Sequence, residues 1–386
     1  MLSIALLVNI VMVGAGLSLA APANGGYPQP PKRHAFSIPK TNGFPSPNSD
    51  QLRTIETKAD GLVNITNISP PPKLSPQEIA QYQLLAFNEF FKTAFFSSLL
   101  YNVTNNVTGY EYDKKDELAA ILSDILAQEE IHALAAIKHL KDNNAFVPSP
   151  CKYEFGSTTL QHAINFAQVF TTIMMGTLQD TAVTFAKNGN SASIRSLAAV
   201  MENEAEQNGY FRHILAKKPS AHPFPTTSIP SFLFSALNMF TVPDSCPFPL
   251  SKINITLFRP FNLVGVGIIK QNDQTLSFNT DLGGVSAAAK YVGKTNDTQL
   301  YITYVTVQLK PISVRATNLR WNETRLMVDA HFPYSQYLMT GLSLASLTTK
   351  ADFVSVEEMP AYTLAAPAVI QADQCLNANN SLDELE

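Results

Sequence analysis

The sequence predicts an α+β multidomain chain, with a helical domain followed by an antiparallel all-β sandwich or barrel. Two patterns carry this expectation. Between about Ser75 and Ala216, apolar residues recur with a helical period in four long stretches. After about Ser251 the pattern changes to period two, in short β-branched and aromatic runs separated by Asn, Asp and Gly turns. The length of 386 residues fits two domains at about 100–200 residues each.

Residues 1–20 read as a signal peptide. Leu2 to Leu19 form one apolar run, and Ser18-Leu19-Ala20 fits a small-x-small cleavage site, which predicts cleavage after Ala20. The usual basic n-region is missing, so a signal anchor is the alternative. No other segment is apolar enough to span a bilayer. Residues 21–74 are rich in Pro, Asn, Ser and Gly and read as an extended or disordered linker. The dibasic pair Lys32-Arg33 inside it is either a processing site or two solvated charges.

Helical order is expected from Ser75-Pro76-Gln77-Glu78, where Ser caps, Pro fits the first turn and Glu completes a capping box. The first helix runs to about Leu100, with an inward stripe of Ile79, Tyr82, Ala86, Glu89, Thr93, Phe96 and Leu100. The second spans about Lys115 to Leu140. The third, about Thr158 to Lys187, is apolar nearly all round, as a buried helix should be, and Gly189 closes it. The fourth spans about Ala192 to Ala216, with Glu204 and Gln207 on its inward stripe. Together these give a helical domain over 75–218.

An irregular Pro- and Phe-rich connector over 219–250 contains a short helix at Ser231–Phe240. The β-rich domain covers 251–372, with strands expected at Ile253–Phe258, Leu263–Ile269, Leu300–Leu309, Leu326–Phe332 and Gly341–Leu347. Residues 373–386 form a tail.

The net charge of −4 gives no argument for nucleic acid. Asn64, Asn67, Asn102, Asn106, Asn254, Asn296, Asn322 and Asn379 each begin an Asn-x-Ser/Thr sequon, which agrees with a secreted, extracellular glycoprotein. The cysteines are Cys151, Cys246 and Cys375. Secretion permits a disulfide. Cys151 and Cys246 both sit at the edges of the helical domain and are expected to pair, leaving Cys375 in the tail; three free thiols are the alternative.

The motif with most chemical content is Glu129-Glu130-Ile131-His132 on the second helix. Glu129 and His132, three residues apart, point to one face, which also carries Ile121, Leu122, Ile125, Ala136 and Leu140. A carboxylate there is costly unless paired or bound to metal. No Gly-rich phosphate loop or Gly-x-Ser-x-Gly elbow is present, and no residue is assigned a catalytic role. Met174 and Met175 read as core filler. His139, His162 and His213 read as surface or core-edge residues.

Four segments carry a resemblance to a known family: Leu84-Leu85-Ala86-Phe87-Asn88-Glu89-Phe90-Phe91, Gln128-Glu129-Glu130-Ile131-His132, Leu178-Gln179-Asp180-Thr181-Ala182-Val183 and Glu204-Ala205-Glu206-Gln207. In their order and spacing, residues 75–250 resemble the ferritin-like family of fungal late-sexual-development and stress-response proteins, related to plant desiccation-related proteins. The β-rich region lies outside the resemblance. It implies a four-helix bundle with a di-metal site, in which Glu89, Glu129, His132 and Glu204 match ligand positions. Gln179 stands where the pattern has Glu, and Gln207 where it has His. The site is therefore degenerate: a neutral amide adds no charge and ligates iron or zinc poorly.

Two readings follow. In one, a single iron or other divalent metal is held by Glu89, Glu129 and His132, or a weakened dinuclear site forms with Glu204, in a metal-dependent oxidase or storage protein. In the other, the acids, His132, Gln179 and Gln207 hydrogen-bond one another without metal. That second protein is non-catalytic, and its β domain meets a cell-wall or other extracellular partner in development or stress. On it, Glu129→Leu is expected to be neutral or stabilising.

Overall fold

The computed structural model describes residues 40–63, 73–265, 269–295 and 299–372. The signal peptide, Lys32-Arg33, Asn64, Asn67, Asn296, Asn379, Cys375 and the tail lie outside the described residues.

The helical part contains α1 (Ser49–Lys58), α2 (Pro76–Thr104), α3 (Lys115–Asp142), α4 (Leu160–Lys187), α5 (Ser191–Ile214) and α6 (Pro230–Asn238). α2 starts at the expected capping box: Ser75 Oγ accepts from the Glu78 amide and Glu78 Oε2 from the Ser75 amide, at 3.3 and 2.7 Å. α2 packs on α3 and α4, and α4 packs on α5. Burial along α2 is almost unbroken from Ala80 to Phe96, not confined to one stripe. The cause is its central position, with α6 and the chain before α2 covering the faces that α3 and α4 leave open.

That preceding chain corrects the linker expectation for residues 40–63. Asn48 and Gln51 form a second reciprocal capping box, and α1 follows it and packs on α3 through Ile55. Phe44 is fully buried and meets Phe90 of α2 edge-on at 5.9 Å. Lys40 pairs with Glu130 of α3, and Asn42 Nδ2 donates to the same carboxylate at 2.7 Å. Phe44 and Ile55 bury this segment against the helices, and the buried Glu130 carboxylate is satisfied by Lys40 and Asn42.

Mid-helix Gly176 of α4 allows a close approach of backbone: a Cβ there would meet the Thr226 carbonyl oxygen at 2.5 Å. The connector thus lies directly on the helix. Cys151 and Cys246 form a disulfide with Cα atoms 4.3 Å apart, as expected. It ties the loop after α3 to the chain after α6, beside a Phe91, Phe155, Phe166, Phe170 and Phe240 cluster.

The C-terminal part contains two antiparallel four-stranded sheets. One has the order β1 (Asn262–Leu263), β2 (Gln274–Asp281), β6 (Arg325–Phe332), β5 (Thr317–Asn322). The other has β4 (Ile312–Arg315), β3 (Tyr301–Thr306), β7 (Gly341–Thr348), β8 (Thr363–Ala372). Phe278 and Val328 of the first sheet share a core with Ile302, Tyr304, Ala345, Leu347 and Ile370 of the second. Leu342 and Leu344 of β7, one residue out of phase with Ala345 and Leu347, join the helical core instead. Hence β7 is buried along its whole length: it is covered on both faces, which gives a continuous rather than an alternating burial pattern.

The expected strand at Ile253–Phe258 does not form. Ile253 is buried in the helical core, Ile255, Leu257 and Phe258 lie against it, and the Phe258 amide donates to Ser235 Oγ of α6 at 2.9 Å. The apolar side chains are satisfied by helices, so no partner strand is needed. β2, β4, β5 and β8 lie outside the strands that the sequence predicts.

Candidate metal centre

Glu89 of α2, Glu129 and His132 of α3 and Glu204 of α5 converge, with one potential ligand atom from each lying within 4.8 Å of the others. The three carboxylates are buried and the His132 side chain is 13 % exposed, so His132 alone reaches toward the surface. The helical spacing does what the motif requires: His132 Nδ1 is 3.3 Å from Glu129 Oε2 and 3.7 Å from Glu204 Oε1.

A residue absent from the expected site stands among them. Lys92 of α2 is itself buried, and its Nζ donates to Glu129 Oε2 at 2.7 Å and to Glu204 Oε1. Glu89 Oε2 is 3.7 Å away. The ammonium thus touches carboxylates from α3 and α5 while its own helix supplies the third. Lys92 is three residues beyond Glu89, next to Thr93 on the inward stripe; the i, i+3 pair of acid and base was the available signal.

The two Gln positions do not enter the cluster's hydrogen bonding. Gln207 Nε2 donates to Gln128 Oε1 and Asn203 Oδ1, both at 3.1 Å. Gln179 Oε1 accepts from Gln308 Nε2 at 2.8 Å, across to the loop after β3. The expectation that the amides supply the missing donors is therefore corrected: an ammonium supplies them, with three N–H groups and a positive charge.

Charge in the cluster is distributed unevenly. Burial pushes the Glu89 carboxyl well above its usual range, reinforced by Glu129 and Glu204 and opposed by Lys92. Burial also disfavours charge on Glu129, but Lys92, helped by His132, outweighs it and brings Glu129 down to about 2. Glu204 is shifted upward by burial and Glu129, against Lys92 and His132. For Lys92, burial favours the neutral amine; Glu129, Glu204 and Glu89 more than offset that and keep it an ammonium.

Glu89, Glu129, His132 and Glu204 could hold a metal ion, but Lys92 Nζ already donates to one oxygen of Glu129 and one of Glu204, so an ammonium stands among the ligand atoms. A small apolar void next to Lys92, of about 10 Å³ and lined largely by Phe91, Phe95, Phe96, Phe166 and Phe170, has room for about one water.

Asn102 is buried within α2, whereas Asn106, Asn254 and Asn322 are exposed. A glycan on Asn102 has no place in this fold, which corrects the expectation for that sequon. His139 stacks on Tyr82 at 4.6 Å, and Met174 and Met175 lie in the core. Among the described residues, no helix is long and apolar enough to cross a membrane.

No family model matches the chain, and no curated protein matches it.

Proposed function

We propose that this is a secreted, glycosylated, non-catalytic protein in which a ferritin-like four-helix bundle acts as a scaffold for a β-sandwich. The observation that carries the reading is the Lys92 ammonium on Glu129 and Glu204. A carboxylate centre that activates oxygen needs a metal with an open coordination position; here a buried ammonium already takes one oxygen of Glu129 and one of Glu204. By the family resemblance, the setting is the cell surface or extracellular matrix in development or stress.

The β part is then the available binding element. Strands β3, β7 and β8 contribute side chains to the helical core, while the β2-β6-β5 sheet turns Thr275, Met327 and His331 outward. On that polar side Asp329 is fixed by Arg320 at 3.0 and 3.2 Å, Asn318 at 3.0 Å and Ser277 at 2.7 Å. A cell-wall or other extracellular partner is the proposed occupant.

A specific observation supports the competing reading of a metal-dependent oxidase or storage protein: three carboxylates and an imidazole with ligand atoms within 4.8 Å. Fe(II) added anaerobically to protein purified from its host's medium, followed by oxygen, separates the two. The scaffold reading expects no oxygen uptake above buffer and a mature N-terminus at Ala21. Sustained uptake abolished by Glu129→Ala would overturn it.

A further inference from the structure

We infer that the Lys92 ammonium is the built-in cation of this cluster, held where a divalent metal would otherwise join α2, α3 and α5, and that its removal uncovers a latent site for one divalent cation. The inference deepens the scaffold reading and rests on the native protein being metal-free.

The geometry has two independent parts. The first is the ammonium, bonded to carboxylates on α3 and α5 and 3.7 Å from a third on α2. The second is what the ammonium leaves unused. Glu89 Oε2, Glu129 Oε1 and Glu204 Oε2 are buried and have no hydrogen-bond partner. A buried carboxylate oxygen without a donor is costly, and three of them surround one cation. An ammonium offers only three N–H donors, whereas one potential ligand atom from each of Glu89, Glu129, His132 and Glu204 lies within 4.8 Å of the others. The site therefore carries more acceptor capacity than its present cation uses. Three carboxylates and one imidazole suit Mn(II), Fe(II), Co(II) or Zn(II).

Co(II) is the probe, because its visible absorption reports the ligand field. The full chain, its Lys92→Ala and Lys92→Gln variants and the double variant Lys92→Ala/Glu129→Gln are incubated with excess Co(II), desalted and assayed for bound metal. The expected result is no retained Co(II) in the native protein and one equivalent in Lys92→Ala, lost in the double variant. The melting temperature of Lys92→Ala should rise with Co(II) while that of the native protein stays fixed.

Retention of one Co(II) by the native protein would overturn the inference and, with it, the metal-free premise. A folded Lys92→Ala that retains none would overturn the inference alone and leave the scaffold reading standing. If Lys92→Ala does not fold unaided, Co(II)-dependent folding supports the inference. Failure to fold with Co(II), together with a folded Lys92→Gln that binds none, contradicts it.

Discussion

Lys92 Nζ lies 2.7 Å from Glu129 Oε2, a salt bridge that links α2 to α3 with both partners buried. Such a pair contributes little relative to well-packed apolar residues, but breaking it from one side leaves an uncompensated charge. Lys92→Met is therefore expected to cost about 3–5 kcal/mol in a denaturant melt. Glu129→Leu should also destabilise, contrary to the sequence expectation of a neutral or stabilising change, because it removes one of the two carboxylates that the buried ammonium hydrogen-bonds. The double change Lys92→Met/Glu129→Leu should recover part of the loss, with Glu204 left buried without the ammonium, giving a non-zero coupling energy in the cycle. Additive effects would show that the pair is not the relevant unit.

Asp180 of α4 gives a pH prediction away from the cluster. Burial, with Glu357 of the β part nearby, pushes its carboxyl up to about 7. In the unfolded chain an Asp titrates at about 3.9. Between those values the folded state binds the extra proton, so stability falls as pH rises from about 4 to about 7 and levels off above that. Asp180→Asn should flatten this slope and raise the melting temperature at pH 8. An unchanged slope in the variant would assign the titration elsewhere.

The Cys151–Cys246 bond closes a loop with a sequence separation of 95. Its loss in a Cys151→Ser/Cys246→Ser variant should cost about 2–5 kcal/mol, chiefly by freeing the unfolded chain. Equilibrium unfolding of the two proteins in non-reducing buffer provides the comparison. Non-reducing peptide mapping should show this pair linked; a Cys375 peptide joined to either cysteine would contradict the assignment.

Glycopeptide mapping of the secreted protein should find Asn106, Asn254 and Asn322 occupied and Asn102 unmodified, because Asn102 faces the interior of α2's packing. Stoichiometric glycan on Asn102 would mean that this part of α2 is not packed as described.

The long helices were legible because their signals are local: the Ser75/Glu78 capping box and the helical spacing of Glu129 and His132. Lys92 was hidden because a stripe argument assumes that one face of a helix is solvated, whereas α2 is covered on all sides. Tertiary surroundings also decided Ile253–Phe258, which reads as a strand but spends its apolar residues on the helical core. α1 did leave a signal, Asn48 followed by Gln51, but it was masked by the polar composition around it. Gln179 and Gln207 hold the sequence positions that the resemblance assigns them, but their hydrogen bonds lead to Gln308, Gln128 and Asn203 instead.

The most direct measurement is the metal content of the protein isolated from its own host, by elemental mass spectrometry, before and after anaerobic Fe(II) loading. With Lys92 as the cation among Glu89, Glu129 and Glu204, no stoichiometric metal is expected in either sample. One or two equivalents of iron, lost in Glu129→Ala, would contradict the account and make the cluster a working metal centre.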